Sequence, residues 1–112
     1  MYKKYIKEYF EIVNNFNMLI KKHDGPVFLF GGHVFSQYLI GFGLNQDKIE
    51  MILDNDPNKQ GKRLYGTSLF VKSPKILKNV KNAAFILRGG AYNDEIKDDI
   101  LSNINSDIVF WE

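Results

Sequence analysis

The chain has 112 residues, a length for one compact domain, with 15 basic residues against 13 acidic and a net charge of +2. That balance gives no electrostatic case for nucleic acid or a membrane surface, and the lack of cysteine excludes disulfides, thiolate metal sites and a cysteine nucleophile. Two histidines are too few for a multi-histidine zinc site, while 45% hydrophobic and 14% aromatic residues suffice for a core.

Residues 2–22 read as an amphipathic helix. Tyr5, Ile6, Tyr9, Phe10, Ile12, Val13, Phe16, Leu19 and Ile20 recur at three- and four-residue spacings, with Lys3, Lys4, Lys7, Glu8 and Glu11 between them. Its apolar stripe is broad and aromatic. It suits either a face of the sheet or a partner outside this chain. Asp24-Gly25-Pro26 ends it, since glycine suits the residue after a helix and proline cannot continue one. Residues 1–24 form an N-terminal helical element, and 25–112 a second unit.

Val27–Phe30 is a short, wholly apolar run, as expected of a central strand in a parallel sheet. Gly31-Gly32-His33 follows as a turn. A helix is expected from Gly32 to about Phe42, closed by Gly43. Ile49–Leu53 is the second strand, ending in Asp54. Residues 54–61 (Asp-Asn-Asp-Pro-Asn-Lys-Gln-Gly) are dense in turn formers. Leu69-Phe70-Val71 reads as a third strand. Ser73-Pro74 opens a short helix to Val80, with serine as N-cap and proline at the first helical position. Ala83–Leu87 is the fourth strand, followed by the loop Arg88-Gly89-Gly90. Asn93 caps a helix from Asp94 to about Ile104, with Ile96, Ile100, Leu101 and Ile104 on its inner stripe. Ile108–Trp111 is a last strand.

Strands alternating with helices predict an α/β fold: a three-layer, Rossmann-like open parallel sheet of about five strands in the order 3-2-1-4-5, preceded by the long helix. Ligands of such sheets bind beyond the carboxyl ends of the strands where the strand order reverses, here between the first and fourth strands. The loops at Gly31 and Arg88 meet there.

Strand, glycine turn, helix, strand and acid is the order of a nucleotide-binding βαβ unit. Gly31 and Gly32 permit a tight turn and close approach of backbone donors to a phosphate, although the adjacent pair departs from G-x-G-x-x-G. His33, in the first helical turn, is held neutral by the helix dipole and can donate to a ligand oxygen; packing or local capping is its alternative role. Asp54 stands 23 residues after Gly31, near the spacing at which an acid meets a ribose hydroxyl. It is equally an ordinary turn residue, and Asp56 is read as one. Arg88, at the end of the fourth strand, can fork onto a phosphate or pair with a nearby acid. Gly89 keeps that approach open, and Tyr92 and Asn93 are placed to touch a base or sugar. No catalytic residue and no metal site is assigned. No apolar run is long enough for a membrane, and the charged start lacks a signal peptide's apolar region, so a cytoplasmic domain is expected.

Residues 30–39 (Phe-Gly-Gly-His-Val-Phe-Ser-Gln-Tyr-Leu), Gly43-Leu44 and residues 52–62 (Ile-Leu-Asp-Asn-Asp-Pro-Asn-Lys-Gln-Gly-Lys) resemble the C-terminal domain of sugar C-methyltransferases. These are S-adenosylmethionine-dependent enzymes acting on nucleotide-linked deoxysugars. Gly66-Thr67, Ser73-Pro74 and Ile86-Leu87-Arg88 continue the resemblance, which runs from about Val27 to Phe110. Related stretches also look like the nucleotide-sugar-binding domains of acyltransferases. The resemblance implies a Rossmann-like domain that binds the nucleotide-linked sugar through Gly31, Gly32, His33, Asp54, Arg88, Gly89, Tyr92 and Asn93. It implies no cofactor in this chain, because S-adenosylmethionine and the catalytic residues belong to a preceding domain. Residues 2–22 would then be the connector to that domain. A competing expectation is a structural or oligomerisation domain with a degenerate nucleotide site, joined to a docking partner or a second copy through the first helix.

Overall fold

The computed structural model describes residues 2–31, 34–64, 67–87 and 92–112; the side chains of residues 2–6, 9, 34, 35 and 38 fall outside that description. Elements run in the order α1 (Tyr2–Lys22), β1 (Val27–Phe30), α2 (Val34–Gly41), the 3₁₀ turn η1 (Gln46–Lys48), β2 (Ile49–Leu53), β3 (Val71–Lys72), the 3₁₀ helix η2 (Pro74–Asn79), β4 (Ala83–Ile86), α3 (Asn93–Asn103) and β5 (Ile108–Trp111). The five strands form one sheet in the order β3-β2-β1-β4-β5, every neighbouring pair parallel. The expected α/β fold and strand order both hold.

Strand alternation sorts the core into two layers. On one face, Val27, Leu29, Ile52, Val71, Ala84 and Ile86 meet Val13, Phe16 and Ile20 of α1 and Leu39 of α2. On the other, Phe28, Leu53, Phe85, Leu87 and Ile108 meet Leu77 of η2 and Ile100 of α3. The first helix therefore covers its own sheet. Asn17 fastens it there, donating from Nδ2 to the Gly43 carbonyl (3.0 Å) and accepting at Oδ1 from the Asn45 amide (2.8 Å). β2 carries an irregularity opposite Val27–Phe28, where Val27 faces Ile49 and Phe28 faces Met51. Glu50 is the extra residue, and the bulge sends it to solvent while Ile49 stays in the α1 layer.

The helix ends follow local chemistry. Gly43, at φ +105°, closes α2 with its amide on Ile40 and the Leu44 amide on Leu39, the paired bonds of a Schellman ending. Ser73 caps η2 by accepting from the Lys75 amide at 3.3 Å, with Pro74 next in the chain.

Four expectations shift. α2 is described over Val34–Gly41 and stops just before the expected Phe42, while its expected start at Gly32 lies outside the described residues. β3 is Val71–Lys72, with Leu69 and Phe70 in the hairpin that leads into it: the Leu64 amide donates to Leu69, and Arg63 bridges Phe70 antiparallel. α3 begins at Asn93, one residue before the expected Asp94, with Tyr92 at the N-cap position; Leu101 on that helix is 39% exposed and stands off the inner stripe. Gly25 is not in the left-handed conformation of a helix terminator. It is glycine because a Cβ there would lie 1.9 Å from the Asn82 carbonyl oxygen.

Candidate functional site

The ends of β1, β2 and β4 bring the described candidate residues to one edge of the sheet. Leu29 is in register with both Ile52 and Ile86, so the chain segments that follow Phe30, Leu53 and Leu87 leave the same side. Gly31 continues directly from β1 at φ +99°, a conformation glycine adopts without steric cost, and its amide donates to the Leu53 carbonyl at 2.8 Å. The glycine turn and Asp54 are thereby tied together across neighbouring strands.

Ser36 locks this turn from beneath. It lies on α2, is 1% exposed, and donates its hydroxyl to the Gly31 carbonyl, with the Phe30 carbonyl also within 3.2 Å. A buried hydroxyl without an acceptor costs free energy, so the turn and the helix hold each other in place. Sequence reasoning passed over Ser36. The signal is a small hydroxyl residue five positions after the glycine, at a buried position of a mostly apolar helix.

Asp54 is 8% exposed, the one charged residue in the described core. Its amide donates to the Lys72 carbonyl at 3.0 Å, which adds β3 to the site. Oδ1 accepts from the Asp56 amide at 2.9 Å, and Asp56 repeats the device by accepting from the Asn58 amide at 2.9 Å. Two consecutive Asx turns thus build the loop, the role expected for Asp56 and one of the two expected for Asp54. Gln60 closes it by donating to the Asp54 carbonyl (2.8 Å), and Lys59 brings Nζ to 3.9 Å from Oδ2. Gly61, at φ +81°, then turns the chain into the hairpin. Lys59 and Gln60 thereby join the candidate site through Asp54, which composition alone does not separate from a solvated loop.

On the other side of β1, Asn93 stands at the first turn of α3. Its Nδ2 reaches the Leu87 carbonyl (3.3 Å) and Glu112 Oε1 (3.0 Å), so the side chain braces the end of β4 against the end of β5. Lys97 completes this brace by donating to Glu112 Oε2 at 3.0 Å. Hydrogen bonds from Lys97 and Asn93 hold the Glu112 carboxyl below its ordinary range, and the bond to Glu112 raises Lys97. Tyr92 is 66% exposed at the rim. Gly32, His33, Arg88 and Gly89 lie outside the described residues.

The described part of the site thus offers a glycine turn, a nearly buried carboxylate held by the Asp56 amide, one ammonium group and an exposed tyrosine. Among the described residues no group of three or more metal-ligating side chains occurs, and no helix is long and apolar enough to cross a membrane.

A family model described as the C-methyltransferase C-terminal domain matches residues 1–107, nearly the whole chain. No curated protein and no solved structure matches it.

Proposed function

We propose that this chain, which belongs to the C-methyltransferase C-terminal domain family, is the part of such an enzyme that holds the substrate, a nucleotide-linked sugar. Phosphate oxygens of the ligand approach the turn at Gly31, Gly32 and His33. Asp54 faces a ribose or sugar hydroxyl, Arg88 and Gly89 neutralise and admit the phosphates, and Tyr92 and Asn93 border the base or sugar. The chain by itself transfers no methyl group. The donor, S-adenosylmethionine, and the groups that activate the acceptor carbon belong to a separate domain.

One observation carries this reading. The positive-φ turn at Gly31 is hydrogen-bonded to the residue that precedes Asp54, at the sheet edge where the strand order reverses between β1 and β4. A thermal-shift series of nucleotide-linked sugars tests it. A ligand that binds only the folded state adds about 2.7 kcal/mol at a hundredfold excess over its dissociation constant, a readily measured rise in Tm. Asp54→Ala is expected to remove the rise. Absence of any shift with millimolar nucleotide sugars overturns the proposal.

A second reading rests on α1, where Phe10, Met18 and Leu19 are 47%, 58% and 41% exposed. On this reading the helix is a docking surface for another domain or a second copy, and the nucleotide site is degenerate. Sedimentation showing a monomer at high concentration argues against self-association.

A further inference from the structure

The two edges of the sheet are finished differently. The outer side of β3 is closed by the returning hairpin: the Val71 amide donates to the Lys62 carbonyl and the Gly61 amide to the Val71 carbonyl, both at 2.8 Å. At the opposite edge, β5 has no strand or hairpin beyond it among the described residues. We propose that β5 is an interface through which two copies of this chain pair antiparallel, joining their sheets about a two-fold axis. This is independent of the ligand that the domain holds.

Three observations carry it. First, the outer side of β5 presents backbone groups that need a partner. The Leu87 amide donates to the Trp111 carbonyl at 2.8 Å, so Trp111 turns its backbone toward β4, and Val109, two residues earlier, does the same. Ile108 and Phe110 therefore point their N–H and C=O groups away from the sheet, where no described residue bonds them. Second, β5 lacks the devices that protect an edge. It reads Ile-Val-Phe-Trp, without lysine or proline, and its register with β4 runs unbroken from Ile108 to Trp111. Val109 is in register with Ala84 on the face that α1 covers further in, yet it is 51% exposed.

Third, the strand is complementary to itself. With Phe110 opposite the partner's Phe110, the two residues exchange both backbone bonds, as the hydrogen-bonded pair of an antiparallel ladder does. Val109 then lies opposite the partner's Trp111, twice by symmetry, at the closer spacing of a non-hydrogen-bonded pair. A β-branched residue against an aromatic is a favourable cross-strand pair. Asp107 falls beyond the paired stretch. Glu112 meets the partner's Ile108 and is already bonded to Lys97 and Asn93, so no like charges stand opposite each other. One open edge per copy closes the assembly at two. Four strand residues from each copy make a small interface, so the pairing is a concentration-dependent equilibrium.

Sedimentation velocity of the full chain over a concentration series, with amide hydrogen exchange at the two ends of that series, tests this. A monomer–dimer equilibrium is expected. The Phe110 amide gains protection as the dimer forms, while the Val109 amide, bonded to β4, is protected throughout. Val109→Lys replaces the contact with the partner's Trp111 by a charge on an edge strand and is expected to weaken the dimer about tenfold or more. Met18→Lys adds the same charge at a comparably exposed position on α1 and leaves the dimer intact. A monomer at every concentration overturns the proposal, as does growth past two copies. A dimer that Met18→Lys abolishes and Val109→Lys spares moves the contact to α1 and overturns it; equal weakening by both reduces the effect to net charge and does the same. A Phe110 amide that exchanges alike at both concentrations overturns it whatever the variants do.

Discussion

Gly25 shows how a single residue is chosen by its neighbour rather than by its own backbone. Its site has no room for a Cβ, because the Asn82 carbonyl oxygen would be 1.9 Å away. The same carbonyl accepts from His23 Nε2 at 2.8 Å, so the exit of α1 closes onto the start of β4 at two successive points. Gly25→Ala is expected to cost about 3 kcal/mol, the upper end of the overpacking range, since backbone and not a flexible side chain must move. A lowered urea midpoint with an unchanged slope checks it. Asp54 shows the opposite case, a residue whose two expected roles converge. Its carboxylate makes the turn that positions it, so the structural role and the proposed ligand contact belong to one geometry.

At the scale of elements, the end of β5 and the start of α3 are held by Glu112, which accepts from Lys97 and Asn93. The Glu112 carboxyl titrates lower in the folded chain than in the unfolded one, because both donors favour its charged form. Its contribution is present above the unfolded pKa and lost as the pH falls through the folded value. Lys97 is raised, so its contribution is present below its ordinary value and fades only as the pH rises past the folded one. Glu112→Gln should therefore lie below the wild type in stability at neutral pH, and the two should converge on acidification through the carboxylate range. Urea denaturation of both chains across that range measures the convergence. β3 teaches a related lesson. Residues 69–72 form a run of strand formers, but Leu69 pairs with Leu64 across the returning hairpin, Phe70 meets β2 through its carbonyl, which accepts from the Ile52 amide, and the strand itself is Val71–Lys72.

For the whole molecule, the decisive packing is that of α1. Val13, Phe16 and Ile20 are buried against Leu39 and the sheet, so the helix is a structural layer of the domain. Phe16→Ala is expected to cost about 3–5 kcal/mol, the usual loss for a buried phenylalanine. Against a total stability of about 5–15 kcal/mol, that leaves a marginal domain. A steep fall in Tm together with loss of the proposed nucleotide-sugar shift checks the link from this layer to the site. Such a link is expected because α1 and α2 share the core face, and Ser36 on α2 holds the Gly31 turn.

The order of elements, the parallel sheet, its 3-2-1-4-5 order and both central strands were legible in the sequence. They depend on apolar runs, glycine and proline positions and crossover handedness, all of which act locally or by a general rule. The same holds for the Gly43 ending, the Ser73 cap and the turn at residues 54–61. Tertiary structure alone decided that Gly25 answers to Asn82, that Ser36 reaches the Gly31 carbonyl, that Asn93 braces Glu112, and that Lys75 and Lys78 share a groove with Asn55. Each is an encounter between groups whose distance is set by how layers stack. A polar side chain has several partners open to it along a sequence, and only the packed chain selects which one it meets.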